Sequence, residues 1–170
     1  MLSVLPIVLS ASLFAPSASI PKEALLTSPH RHVRATDRYM QRLIAEGIDR
    51  SPTLHALIAR LEATDVIVYI EPVSDLPGTI AGRLVLLPYG GTQRYLRVQI
   101  ELGRPPSETI GLIGHELRHA LEVAEAHDVH DQASLIALYK RIGDRTSESF
   151  HRYDTSAARW AGRRVQRELA

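Results

Sequence analysis

The segment from Ile110 to Ala124 most constrains the fold of this chain, because it combines helical periodicity with ionisable groups in an apolar setting. Isoleucine, leucine, valine and alanine surround most of the predicted helix, so we expect the helix to be buried. His115, Glu116 and His119 lie in its middle. Buried imidazole and carboxylate groups need polar partners. The fold must therefore bring another polar element to this helix.

The spacing of His115 and His119 predicts that their imidazoles can bind one metal ion together. Residues i and i+4 of an α-helix lie on one side, about 40° apart. Glu116 would then lie close enough to exchange a proton with a water molecule at the ion. Zinc is the expected metal, with one Zn²⁺ per chain. The alternative is a chance group on a solvated helix face, and the apolar flanks favour the metal site.

This motif resembles the active-site helix of the zincin superfamily of metallopeptidases, over about residues 107 to 126. The matching residues are Gly114-His115-Glu116-Leu117-Arg118-His119-Ala120. The resemblance implies zinc bound by the two histidines, Glu116 as catalytic base, and hydrolysis of peptide bonds in a peptide or protein substrate. A competing hypothesis is a non-catalytic module that uses zinc for stability or binds a partner. Structural zinc normally has four protein ligands, so the number of ligands separates the two.

A catalytic zinc ion needs a third protein ligand from elsewhere in the chain. The residues directly after His119 lack the glycine and third histidine of metzincins, whereas gluzincins use a carboxylate on a later helix. Asp154, followed by small residues, is the first candidate, with aspartate where gluzincins usually have glutamate; its alternative role is a helix N-cap. Glu148 and Glu122 are the other candidates. Glu122 is better placed to contact the second nitrogen of the His119 imidazole than to reach the metal.

Tyr153 is the predicted catalytic hydrogen-bond donor to the scissile carbonyl group, because it is adjacent to Asp154. His151 and Tyr139 are the alternatives. Successive residues of a helix diverge by about 100°, so Tyr153 and Asp154 can both face the metal only where a helix begins.

Length and composition predict one globular domain over residues 35–170, after a polar lead-in over residues 20–34. The chain has 170 residues, of which 45% are hydrophobic. Its formal net charge is +1, from 20 basic and 19 acidic side chains, which argues against a nucleic-acid partner.

The apolar N-terminal run and the small residues after it predict a secretory signal peptide over residues 1–19. We therefore expect a secreted or periplasmic protein. No lysine or arginine precedes the run, so a cytoplasmic protein is the alternative. The run is too short to span a bilayer comfortably, and we expect no stable membrane insertion.

The periodicity predicts an α+β domain with the element order ααβββααα. Two helices come first, over residues 36–46 with Gly47 as the stop and from Ser51 onwards. Strands follow over 66–71, 79–87 and 94–101, and the last two form an antiparallel hairpin beside the motif helix.

Two more helices follow the motif helix in this prediction, around residues 135–142 and from about Tyr153 to Leu169. Between the motif helix and the first of them lies a group that could bind a second metal. It comprises His127, Asp128, His130 and Asp131. A loop in which an aspartate caps the next helix is the favoured interpretation.

Overall fold

The structure is a computed structural model that describes residues 7–8, 31–77, 80–88, 91–147 and 152–170. Apart from residues 7–8, the predicted signal peptide lies outside these residues, as does most of the lead-in. The described helices are α1 (Arg38–Arg50), α2 (Pro52–Leu61), α3 (Pro106–Glu125), α4 (Gln132–Ile142) and α5 (Ser156–Glu168). The described strands are β1 (Ile7–Val8), β2 (Val33–Ala35), β3 (Val66–Val73), β4 (Gly82–Leu86), β5 (Arg94–Glu101), β6 (Asp144–Ser147) and β7 (Arg152–Asp154). The predicted α+β class is confirmed.

A four-stranded mixed sheet in the order β2-β3-β5-β4 supports the core. Strands β2, β3 and β5 are parallel, and β4 pairs antiparallel with β5, as the predicted hairpin requires. Along β5 burial alternates, because Leu96, Val98 and Ile100 point into the core while the residues between them are partly exposed. The inner face packs against α3, so the sheet forms a platform for the motif helix.

The first helix begins two residues after the predicted position and runs further than predicted, and the second begins where the sequence predicts. Ser51 caps α2 by accepting a hydrogen bond from the Leu54 amide at 3.1 Å, with Pro52 as the first helical residue. The predicted stop at Gly47 is wrong, because α1 continues to Arg50. Side chains of Leu54 and Ile110 occupy the space of a Cβ at Gly47. This glycine therefore permits close helix packing.

The predicted order ααβββααα omits four short strands, of which β1 lies inside the predicted signal peptide. Strand β2 begins at Val33, inside the predicted lead-in, and β6 and β7 pair antiparallel within the segment predicted to be a loop and a helix start. Helix α5 begins at Ser156 instead of Tyr153, because Thr155 is its N-cap and accepts from the Ala158 amide at 3.0 Å. Strands of three or four residues are too short to show a clear alternation.

Arg94 joins the sheet to the C-terminal end of α3. Its side chain is 1% exposed and forms two 2.8 Å hydrogen bonds with the Asp65 carboxylate. The guanidinium also donates to the carbonyl oxygens of Val123 at 2.8 Å and Ala126 at 2.7 Å. Helix α3 has no basic residue in its own last turn, so Arg94 supplies the positive charge there from β5.

Candidate metal centre

Helix α3 carries its ionisable side chains inside the core. His115 is 8% exposed, Glu116 2% and His119 0%. Apolar side chains of the same helix and of the sheet form the surrounding core cluster. In this setting each polar atom needs a partner from the protein or from a bound ligand.

A single carboxylate oxygen of Asp154 lies close to both histidine side chains. Its Oδ1 atom lies 3.5 Å from His115 Nε2 and 3.5 Å from His119 Nε2. In a tetrahedral zinc site with bonds of about 2.0–2.2 Å, neighbouring ligand atoms lie about 3.3–3.6 Å apart. The three side chains therefore form a buried group that can hold a metal ion, and their predicted convergence is confirmed.

The hydrogen-bond pattern of this group also fits a bound ion. His119 Nε2, Asp154 Oδ2 and Glu116 Oε2 are buried and have no hydrogen-bond partner among the described residues. Unsatisfied buried polar atoms are rare in proteins, and a cluster of them marks a place where an ion or water belongs. A donor set of two imidazoles and one carboxylate suits a divalent transition metal.

Close packing of α3 and α5 brings the short aspartate side chain within reach. A Cβ atom on Gly162 would lie 3.0 Å from the Gly111 carbonyl oxygen and 3.0 Å from His115 Cβ. A Cβ atom on Gly114 would lie 2.7 Å from Val165 Cγ2. Small residues directly after Asp154 were predicted to permit this approach, and the structure adds close helix contacts at Gly111 and Gly114 of α3 and at Gly162 of α5.

Glu122 orients the His119 imidazole, as predicted, and does not join the metal-binding group. Its Oε2 atom accepts a 2.7 Å hydrogen bond from His119 Nδ1. Because a carboxylate only accepts, a proton lies on Nδ1, and Nε2 is the nitrogen that a metal ion can bind.

Arg159 is a site residue that the sequence analysis missed. One of its guanidinium nitrogens lies 3.4 Å from Asp154 Oδ2, and another donates to Asp144 Oδ2 at 2.6 Å. The arginine thus forms an ion pair, without a hydrogen bond, with the carboxylate oxygen that turns away from the histidines. The only sequence signal was its place in an arginine-rich helix, which is also typical of a solvated face.

Burial and neighbouring charges shift the pKa values of His115, His119 and Glu116 in different directions. Burial, followed by the charge of His119, lowers the pKa of His115 to about 3. Burial also opposes the charged form of His119, but the nearby carboxylates of Asp154 and Glu122 outweigh it and raise the pKa of His119 to about 9. Desolvation raises the pKa of Glu116 to about 7. Without a metal, His119 is thus the member of the group that most readily carries a proton. A metal ion has to displace that proton to bind.

Strand β4 passes directly over Glu116. A Cβ atom on Gly82 would lie 2.5 Å from Glu116 Oε1, so glycine leaves room for this carboxylate. Strand β4 is at the edge of the described four-stranded sheet. The predicted position of the hairpin beside the motif helix is confirmed.

Of the residues predicted as catalytic hydrogen-bond donors, the structure describes Tyr153 and Tyr139. Tyr153 is buried in the core and its hydroxyl has no partner among the described residues; strand alternation directs it away from the side of β7 that carries Asp154. Its catalytic role stays a prediction. Tyr139 lies behind His119, where its hydroxyl donates to the His119 carbonyl oxygen at 3.3 Å. His151 and Glu148 lie outside the described residues.

The segment between α3 and α4 is a capped loop, as favoured. Asp131 Oδ1 accepts from the Ser134 amide at 2.8 Å, and the Ser134 hydroxyl completes a capping box. Among the described residues, only the group of His115, His119 and Asp154 can hold a metal ion.

No protein-family model, curated protein or solved structure matches the chain. Within the described part of the chain, no helix has both the length and the apolar character of a membrane span.

Proposed function

We propose that this protein is a zinc-dependent metallopeptidase of the zincin type, in which His115, His119 and Asp154 hold one Zn²⁺ ion. The observation that carries the proposal is the shared approach of Asp154 Oδ1 to both imidazole Nε2 atoms at 3.5 Å. Two nitrogen donors and one oxygen donor match the ligands of known catalytic zinc sites. Three ligand groups, rather than the four of a closed structural site, favour catalysis over a purely stabilising role.

Glu116 is the proposed catalytic base. Zinc in such a site supplies Lewis-acid activation of water and of a carbonyl oxygen. The Glu116 carboxylate accepts the proton of the attacking water and delivers it to the leaving amine. Burial supports this role, because desolvation raises the pKa of Glu116 in the metal-free group, and a raised pKa makes a carboxylate a better proton acceptor.

Strand β4 is the proposed docking edge for the substrate. An extended peptide would pair with the outer edge of β4 by strand addition, replacing the contact that β1 makes with β4, and its backbone would then lie beside Glu116 at the level of Gly82. This arrangement selects peptide or protein substrates, because main-chain hydrogen bonds recognise the backbone.

Two substitutions test the site. Zinc content is determined by elemental analysis, and turnover is measured on a quenched fluorescent peptide library. Glu116→Gln should retain about one zinc per chain but lower turnover by about 10²-fold or more, because the base is lost while the ligands stay. Asp154→Ala should lose zinc to a mild chelator, whereas the control Glu148→Ala should not.

Each result bears on a separate part of the proposal. Wild-type protein without zinc after refolding in its presence would refute the metal site. Equal turnover of Glu116→Gln and wild type would refute the peptidase mechanism. Zinc loss from Glu148→Ala but not from Asp154→Ala would assign the third ligand to Glu148.

A further inference from the structure

Thr155 lies where the two chain segments of the metal-binding group meet. Its hydroxyl donates to Glu122 Oε1 at 2.7 Å and accepts from the Ala158 amide at 3.0 Å. Its own amide donates to Asp154 Oδ1 at 2.7 Å. Thr155 therefore contacts Asp154 through the backbone and α3 through its side chain.

Glu122 continues this connection to His119. One carboxylate oxygen accepts from His119 Nδ1 at 2.7 Å, and the other accepts from the Thr155 hydroxyl. Both residues are buried, at 5% exposure for Glu122 and 4% for Thr155. The nearest cation to Glu122 Oε1, Arg118 Nε, is 3.9 Å away, beyond hydrogen-bond distance. The Thr155 hydroxyl is therefore the short contact that fixes this end of the carboxylate.

A hydroxyl group suits both contacts because it has one proton to donate and lone pairs to accept. Since the Ala158 amide must donate, the hydroxyl proton is left for Glu122. Valine has nearly the same shape as threonine but can neither donate nor accept a hydrogen bond. It would therefore leave one oxygen of the buried Glu122 carboxylate without a partner. The carboxylate could then rotate and carry the His119 imidazole with it.

We propose that Thr155 is a positioning residue that couples Asp154 to His119 through Glu122 and so sets the metal affinity of the site. The inference rests on the proposed function only in taking zinc as the metal bound by this group. It assigns to an N-cap threonine a second role, which is to hold the ligands of α3 and β7 in one geometry before the ion binds.

The test is the zinc dissociation constant, measured by competition with a chromophoric chelator. Thr155→Val should weaken zinc binding about tenfold to a hundredfold, as expected when a partner of a metal ligand is lost. Thr155→Ser keeps the hydroxyl and should restore an affinity close to that of wild type. Asp37→Ala is the matched control, because Asp37 caps α1 by accepting from the Met40 amide at 2.8 Å and lies outside the metal-binding group.

Unchanged zinc affinity in Thr155→Val would overturn the inference, as would an equal loss of affinity in Asp37→Ala, since capping alone would then account for the effect. If Thr155→Val does not fold, Glu122→Gln provides the same test, because it breaks the connection one residue earlier. Its zinc affinity should fall by a similar factor, and an unchanged value would refute the coupling. Wild-type protein that binds no zinc would instead refute the proposed function.

Discussion

Substitution of Gly162 by alanine should loosen the metal site through the packing of α5 against α3. The added Cβ would lie 3.0 Å from His115 Cβ and from the Gly111 carbonyl oxygen, so these neighbours would have to move by a few tenths of an ångström. Metal ligands tolerate displacements of only about 0.2 Å. We therefore expect the zinc dissociation constant of Gly162→Ala to rise by about tenfold or more.

The stability effect of the same change should be small. Overpacking a helix contact costs about 1–3 kcal/mol, while replacing glycine by alanine within a helix stabilises by about 1 kcal/mol. The net loss in unfolding free energy is then about 0–2 kcal/mol, too little to unfold a typical domain. The variant should remain folded and show its defect mainly in metal binding.

Urea unfolding and chelator competition on the same samples separate the two effects. Gly47→Ala serves as control, because it overpacks the contact of α1 with Leu54 and Ile110 and does not touch His115 or Asp154. It should lose stability and retain zinc affinity. If Gly162→Ala binds zinc as tightly as wild type, close packing at His115 does not determine the ligand geometry, and the reasoning is refuted.

Two further predictions concern the scaffold. Arg94→Met should lower the free energy of unfolding in urea by about 3–5 kcal/mol, because carbonyl oxygens at the end of α3 lose their donor. The control Arg60→Met breaks an exposed ion pair and should cost about 1 kcal/mol or less. Equal losses in the two variants would contradict this prediction. Burial opposes the charged form of Glu168, but donors on Ser51, Thr53 and Arg164 outweigh it and lower its pKa from 4.5 to about 2. The free energy of unfolding of wild type should therefore exceed that of Glu168→Gln by about 1–2 kcal/mol near neutral pH, and this difference should fall as the pH drops from about 4.5 towards 2. A difference that does not depend on pH would refute the prediction.

The predictable part of the site is local in sequence. The i, i+4 spacing of His115 and His119 identified two members of the metal-binding group, and the i+3 spacing of Glu122 from His119 identified its hydrogen-bond partner. Helix geometry alone determines these relations. Asp154 required one more step, since the need for a third ligand had to be combined with the small residues that follow it.

The parts that sequence reasoning missed depend on distant residues. Gly47 has the signature of a helix stop, yet its role is defined by Leu54 and Ile110. The side chain of Arg94 is indistinguishable in sequence from other strand arginines, because its acceptors lie on another element. Strands β6 and β7 are held by pairing with each other, a property that neither segment shows alone.

The metal-binding group also joins α3 to β7, two parts of the chain that are separated by α4 and β6. An ion shared by His119 and Asp154 would act as a cross-link that closes this intervening segment into a loop. A cross-link of this kind restricts the unfolded chain and raises the free energy needed to open the segment locally. Amide hydrogens of α4, which contributes no ligand to the group, would then exchange with solvent more slowly when metal is bound.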